Sequence, residues 1–331
     1  MTFAQGVTRY RAFPRPDREP AYTVLHELGT TRLRDYGPES APVVLIVPSL
    51  VNRGTVLDLN PERSFTAALK AAGFRPLFVD WDAPGETESG FDLSRYIVDR
   101  LDPLLDTAVA ANAGKPVSLL GYCMGGCLAL ALAQRRQKDV SGLALLATPW
   151  DFHAGDMTQV RMLEASLPML EQTVETLGEL PVDVLQAMFA GLDPWLTAEK
   201  FIRFAGLDEN SADADLFVAL EDWLNDGVPL AAAVAHECLR GWYVENRPHR
   251  GAWAIDGEAI KPQSIEVPAI AFIPGRDHIV PPPSANALAD ALPDCEARVV
   301  PAGHIGMVTG SRAKEVLVDP LTEWFANRHK N

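Results

Sequence analysis

Long apolar stretches are missing from this 331-residue chain, and no run approaches the roughly 18–20 residues needed to cross a bilayer. The first ten residues, Met-Thr-Phe-Ala-Gln-Gly-Val-Thr-Arg-Tyr, hold no continuous apolar core of the kind a secretory leader requires, so none is expected. Cysteine is scarce. Cys123, Cys127, Cys238 and Cys295 are too few and too scattered for a disulfide framework, which fits a reducing compartment. No pairing of these thiols with a histidine or an acid has metal-ligand spacing, so no metal is expected. Positive charge is also short: 29 Lys and Arg face 44 Asp and Glu, a formal net charge of −15. With no basic run to offset it, this acidity argues against nucleic-acid and anionic-membrane binding. Internal repeats and low-complexity segments are absent from the sequence. A protein of the cytoplasm is the expectation.

What is present is 47% hydrophobic content, enough to bury a large core, distributed as strands alternating with helices. Residues 1–40 are polar and rich in Pro and Arg, and read as an N-terminal extension with a short leading hairpin around Tyr22 to Tyr36. The first strong strand is Val43 to Val47. Asn60-Pro61 then supplies an N-cap and a first-turn proline for a helix whose Phe65, Ala68, Leu69 and Ala72 share one face. Further strands are expected at 76–81, 116–120, 140–147, 267–274 and 297–301. Helices are expected from Ser94, with Pro103 as a kink, and from Gly125 to Arg135. Such alternation means a parallel sheet covered on both faces. From 151 to 266 the pattern turns to helices and loops without a strand signal. The expected organisation is therefore a core of residues 41–150 and 267–331, interrupted by a helical lid at 151–266. The lid aromatics Trp195, Phe201, Phe204, Trp223, Trp242 and Tyr243 read mostly as its own core.

The chemistry is carried by Gly121-Tyr122-Cys123-Met124-Gly125, a G-x-S-x-G nucleophile elbow with cysteine in place of serine. It lies between an apolar strand and an Ala/Leu-rich helix, and its glycines allow the close strand-to-helix turn. A thiol at a helix N-terminus is favoured as thiolate. An acid and a histidine follow in the required order at the ends of later strands. Asp277 lies in the loop Gly-Arg-Asp-His after 267–274, and His304 in Ala-Gly-His after 297–301. Each alone has a bland reading, as turn cap or surface histidine; the three in order point to a Cys–His–Asp triad in an α/β-hydrolase fold. Cys123 is then the nucleophile, His304 the proton acceptor and donor, and Asp277 the group that orients the imidazole. The backbone N–H groups of Met124 and Leu50 are the expected oxyanion hole. His278 competes for the role of base, but adjacent residues on an extended segment point apart, so it reads as loop or pocket wall. His26, His153, His236, His249 and His329 lack such a setting, and Cys127 reads as a small core residue.

With those residues in place, the chain resembles the catalytic subunit of class III polyhydroxyalkanoate synthases, from about Leu45 to Phe325. The likeness includes Leu50-Val-Asn-Arg53 with Asp58-Leu59, Asp80-Trp81, the cysteine elbow, Ala147-Thr-Pro-Trp-Asp-Phe152 and Thr176-Leu-Gly178. Most specific are Asp277-His-Ile-Val-Pro-Pro282 and Gly303-His-Ile-Gly306. Dienelactone hydrolases share the elbow but are shorter and lack the lid. The resemblance implies polymerisation of 3-hydroxyacyl groups from coenzyme A thioesters through a cysteine-linked acyl thioester. It also implies a second synthase subunit as partner, a homo-oligomer, association with polyester granules, and no cofactor besides the thioester substrate. Arg240, Arg247 and Arg250, with His249, form the basic grouping in the lid for coenzyme A phosphates, or else a solvated face. Two other readings stand beside this one: a hydrolase of thioesters, lactones or polyester on the same triad, and a non-catalytic granule scaffold.

Overall fold

A computed structural model describes residues 1–15, 21–193 and 195–328. Its centre is an eight-stranded sheet built from β1 (Thr23–Leu28), β2 (Thr31–Asp35), β3 (Val43–Val47), β4 (Arg75–Asp80), β5 (Val117–Tyr122), β6 (Val140–Leu146), β7 (Ala269–Pro274) and β8 (Cys295–Val300). The spatial order is β1-β2-β4-β3-β5-β6-β7-β8. From β4 to β8 every pairing is parallel, while β1–β2 and β2–β4 are antiparallel. The central strands are apolar along their length because both faces are covered: all five residues of β3 are buried. At the edge, β8 instead exposes Glu296 and Arg298, charges that blunt an open strand edge.

Among the described residues, eleven α-helices of five residues or more can be labelled in chain order. They are α1 (Phe3–Ala12), α2 (Phe65–Ala71), α3 (Asp102–Ala111), α4 (Met124–Arg135), α5 (Thr158–Leu177), α6 (Val182–Ala190), α7 (Leu196–Ala205), α8 (Ala212–Asn225), α9 (Ala232–His236), α10 (Pro282–Ala291) and α11 (Asp319–Arg328). Helix α4 is buried from Met124 through Ala133. Its small residues let it lie very close to the sheet: a Cβ on Gly125 would stand 2.2 Å from the carbonyl oxygen of Val47. Helices α5 to α9 all fall between β6 and β7, which are neighbours in the sheet. Among the described residues no helix is long and apolar enough to cross a membrane.

Several expectations are revised. The first forty residues are not merely an extension, because the β1–β2 hairpin joins the main sheet through β4. They also contain α1, whose Thr2 and Gln5 form a reciprocal capping box. Helix α1 lies on α7: a Cβ on Gly6 would stand 2.2 Å from the Phe201 carbonyl oxygen, and Arg9 donates to the carbonyls of Phe204, Ala205 and Leu207 at the end of α7. Asn60 and Pro61 cap a separate three-residue turn, and Ser64 is the true N-cap of α2. Where a kink is expected at Pro103, a π-helical stretch, Ile97–Leu101, precedes α3, and the proline sits in the first turn of α3. The 151–266 block does hold strand pairs, but each strand is two residues long, too short to show a period. Trp195 is exposed, unlike Phe201, Phe204, Trp223 and Trp242.

Candidate active site

The elbow is built where β5 ends. Cys123 has φ 55° and ψ −128°, a backbone conformation costly for any residue with a Cβ. It is held there because its N–H donates to Leu146 O of the neighbouring strand at 2.8 Å and its carbonyl accepts from Gly126 N at 2.9 Å. Gly121, Gly125 and Gly126 give the helix room: added Cβ atoms would collide with Gly126 Cα, Val47 O and Thr148 Oγ1 respectively. The result puts the half-buried Cys123 side chain at the head of α4, at the carboxyl edge of the parallel sheet.

Asp277 and His304 meet at that same edge. Nδ1 of His304 donates to Asp277 Oδ2 at 2.6 Å, with both side chains buried. The second carboxylate oxygen, Oδ1, accepts the N–H groups of Ile279 and Val280 at 2.8 and 3.0 Å, which fixes the plane of the acid. The Cys123 side chain lies close enough to His304 to act on its charge. Burial pulls the pKa of His304 down, but the negative charge available at Cys123 and the bond to Asp277 outweigh it and push the value up to about 10. The other thiols sit differently. Burial drives Cys127 and Cys238 well above the ordinary range and Cys295 up to about 11, and Cys127 donates to Pro149 O.

The N–H groups of Leu50 and Met124 donate to no acceptor among the described residues, whereas the neighbouring Val51 N–H is taken by Ser49 Oγ. His278 is exposed, unlike the buried Asp277 and His304. His26 bonds Thr107, His153 bonds the Tyr243 carbonyl, and His236 and His249 lie near Glu171 and Asp151. His329 lies outside the described residues. Arg240 is held by both oxygens of Glu171, at 2.7 and 2.5 Å, and Arg247 by Glu245 at 2.6 Å. Of Arg240, Arg247 and Arg250, only Arg250 has no side-chain partner among the described residues.

Within the helical block, Leu167, Leu170, Leu185 and Trp242 belong to the same apolar cluster as Leu50, Met124 and Leu128, with Cys123 and Phe152 packed against it. Tyr243, on a π-helical stretch (Glu237–Val244), packs edge-on against Phe152 with ring centres 4.8 Å apart. Burial raises its hydroxyl's pKa, and negative charge at Cys123 adds to the rise. A separate cavity of about 430 Å³ lies away from Cys123, lined by Arg34, Arg53, Asp58, Phe78 and Trp223 among others. Two contributors to the site went unread in the sequence: the Ile279 and Val280 amides, which carry no side-chain signature, and Tyr122, discussed below.

An eight-stranded, mostly parallel sheet with a nucleophile elbow and a strand-end acid and histidine defines a hydrolase-type scaffold, and a family model described as alpha/beta hydrolase fold matches residues 42–311. The chain belongs to that family. Among curated proteins it is 28% identical over 323 residues to the poly(3-hydroxyalkanoate) polymerase subunit PhaC of Haloarcula marismortui, covering 92% of this chain and 67% of that one. It is likewise 28% identical over 297 residues to the protein of the same name from Allochromatium vinosum, covering 88% of this chain and 82% of the relative. A solved thermophilic esterase from Thermogutta terrifontis superposes with a TM-score of 0.58 at 17% identity, covering 95% of this chain and all of that one, a likeness of fold.

Proposed function

We propose that this chain is an acyltransferase that polymerises 3-hydroxyacyl groups from coenzyme A thioesters into a polyester, with Cys123, His304 and Asp277 as its triad. The observation that carries the reading is a cysteine at the strained elbow, close to a His304 already anchored on Asp277. Relatives named as poly(3-hydroxyalkanoate) polymerase subunits support the substrate class.

In this scheme Sγ of Cys123 attacks the thioester carbonyl, and the oxyanion forms against the N–H groups of Leu50 and Met124. Coenzyme A leaves as its thiol after taking a proton from His304, and the acyl group remains on Cys123. The hydroxyl of a 3-hydroxyacyl chain end then loses its proton to His304 and attacks that carbonyl. An ester forms and Cys123 is released. Asp277 holds the imidazole in the tautomer and orientation both steps need. Exchange between two thioesters is nearly thermoneutral, so the acyl group stays activated until the alcohol arrives. The block 151–266 acts as the lid that keeps water from it. Arg250 is the lid arginine best placed to meet a coenzyme A phosphate, since Arg240 and Arg247 already hold carboxylates. A second synthase subunit, self-association and a place at the surface of polyester granules in the cytoplasm belong to the same proposal.

The competing reading is hydrolysis on the same triad, because water and a hydroxyl can attack the same acyl-enzyme. Incubation with 3-hydroxybutyryl-coenzyme A, with and without candidate partner subunits, followed by separation of products by size distinguishes them. Oligomer or polymer is expected. Monomeric 3-hydroxybutyrate alone, formed in step with coenzyme A release under every condition, would make the protein a thioesterase.

A further inference from the structure

Tyr122, the residue before the nucleophile, is almost wholly buried, yet it does more than fill the core. Its ring lies against the imidazole of His304, with centres 5.2 Å apart and planes inclined by 39°. Its hydroxyl donates to the backbone carbonyl of His304 at 3.3 Å. Val300, Met307 and Phe272 pack in the same apolar cluster, so the phenol has little room to move. On the far side of the loop, Arg276 N donates to Ala302 O at 3.0 Å, and Met307 N donates to Gly303 O at 3.0 Å. The backbone around His304 is therefore pinned from several sides, whereas the imidazole itself has a hydrogen bond from Nδ1 to Asp277 and the tilted ring of Tyr122 beside it.

We infer that Tyr122 is a positioning residue whose aromatic face holds the imidazole plane of His304 in line between Asp277 and Cys123. The inference rests on the catalytic reading proposed above. Asp277 alone leaves the ring free to swivel about the Nδ1 hydrogen bond, which moves Nε2 away from Sγ; a flat partner against the ring blocks that swivel. The role belongs to the ring and not to the hydroxyl, since a long 3.3 Å bond to a loop already held through the Ala302 and Gly303 carbonyls adds little. It also explains why a large aromatic occupies a position beside glycines in a tight turn: β5 and the His304 loop leave a slot that an aliphatic side chain would fill without being flat.

The test uses the full-length protein and two readouts on each variant: steady-state coenzyme A release from 3-hydroxybutyryl-coenzyme A, and the rate at which iodoacetamide alkylates Cys123 at neutral pH, mapped on its peptide. Tyr122→Phe keeps the ring and is expected to stay within about threefold of the parent in both. Tyr122→Met, close in volume but not flat, is expected to lose roughly 10- to 100-fold in kcat with KM within about twofold, because sub-ångström to 1 Å misplacement costs on that order. Its alkylation rate should fall toward that of His304→Ala. A Tyr122→Met protein that folds and matches Tyr122→Phe in both readouts overturns the inference, as does a change confined to KM. Should Tyr122→Met not fold, protein labelled with 3-fluorotyrosine replaces it, the Tyr122 signal being assigned by its loss in Tyr122→Phe. The ¹⁹F signal of Tyr122 should shift when Cys123 is alkylated in the parent and not in His304→Ala, and an unmoved signal overturns the inference. If His304→Ala alkylates as fast as the parent, it is the catalytic reading that fails; if it is slower while Tyr122→Met is not, only the positioning role does.

Discussion

Replacing Asp277 by Asn probes the acid without disturbing its shape. In the parent, Oδ1 accepts two backbone N–H groups and Oδ2 accepts Nδ1–H of His304 at 2.6 Å. The amide oxygen of Asn can keep the first pair, so its NH₂ must face Nδ1. That forces the neutral imidazole to carry its proton on Nε2, the nitrogen that should accept from Cys123. The wrong tautomer, together with loss of the charge that supports the imidazolium, should lower kcat by about 10³, or about 4 kcal/mol at 1.36 kcal/mol per tenfold. Stability at neutral pH and below should fall by about 1.5–3 kcal/mol, since the buried charge-assisted bond to the imidazolium is lost, a melting shift of several degrees. A pH signature accompanies it. With its value raised to about 10, His304 in the folded parent holds a proton that the unfolded chain has released above its ordinary value of 6.5. Its contribution to stability is thus fully present below about 6.5 and is lost as pH rises toward about 10. In Asp277→Asn this slope should flatten. The assays are coenzyme A release and thermal unfolding from pH 6 to 10; a folded variant retaining more than a tenth of parental kcat would refute the argument.

Three further outcomes follow from the elbow and the lid. Cys123→Gly should be inactive yet more stable than Cys123→Ala by about 1 kcal/mol in urea unfolding, the reverse of the usual order, because φ 55° strains any residue with a Cβ; equal stabilities would show that the turn is not strained. Gly125→Ala drives a methyl to within 2.2 Å of Val47 O, a backbone atom, and should destabilise by about 3 kcal/mol or prevent soluble expression. Arg250→Ala should raise KM roughly threefold for a coenzyme A thioester and leave it unchanged for an N-acetylcysteamine thioester, which lacks the phosphates; parallel changes in both would remove Arg250 from phosphate binding.

The core strands were legible because they are buried on both faces and therefore read as unbroken apolar runs, as Val43–Val47 does. The elbow was legible because its glycines are dictated by collisions with Val47 O and Thr148. What escaped the reading depends on partners far away in the chain. Helix α1 carries few apolar residues, and its packing rests on Phe201 and Phe217, some two hundred positions later, with Tyr10 and Phe3 edge-on to Phe201. Helix α5 holds Pro168 in its interior, which reads as a break, yet Leu167, Leu170 and Val174 are buried and keep it continuous. At the site, residue order along the chain pointed to Cys123, Asp277 and His304, while the contact of Tyr122 with His304 exists only once β5 and β8 lie in one sheet with two strands between them.

The placement of the whole 147–268 segment between two adjacent strands bears on how the molecule assembles. Leu143 and Ala269 are direct partners across β6 and β7, and closing the chain between them costs about 4 kcal/mol of loop entropy beyond a constant term. Pairing of β3, β4, β5 and β6 needs shorter closures, the longest of them from Val44 to Ser118, so β7 and β8 should dock last, carrying Asp277 and His304 with them. Until they do, β6 presents a bare, apolar edge to any other chain. Pulse-labelling hydrogen exchange during refolding should find β5 protected before β7. The nucleophile is thus laid down early, and the protein acquires the partners that make it reactive only in its final folding step.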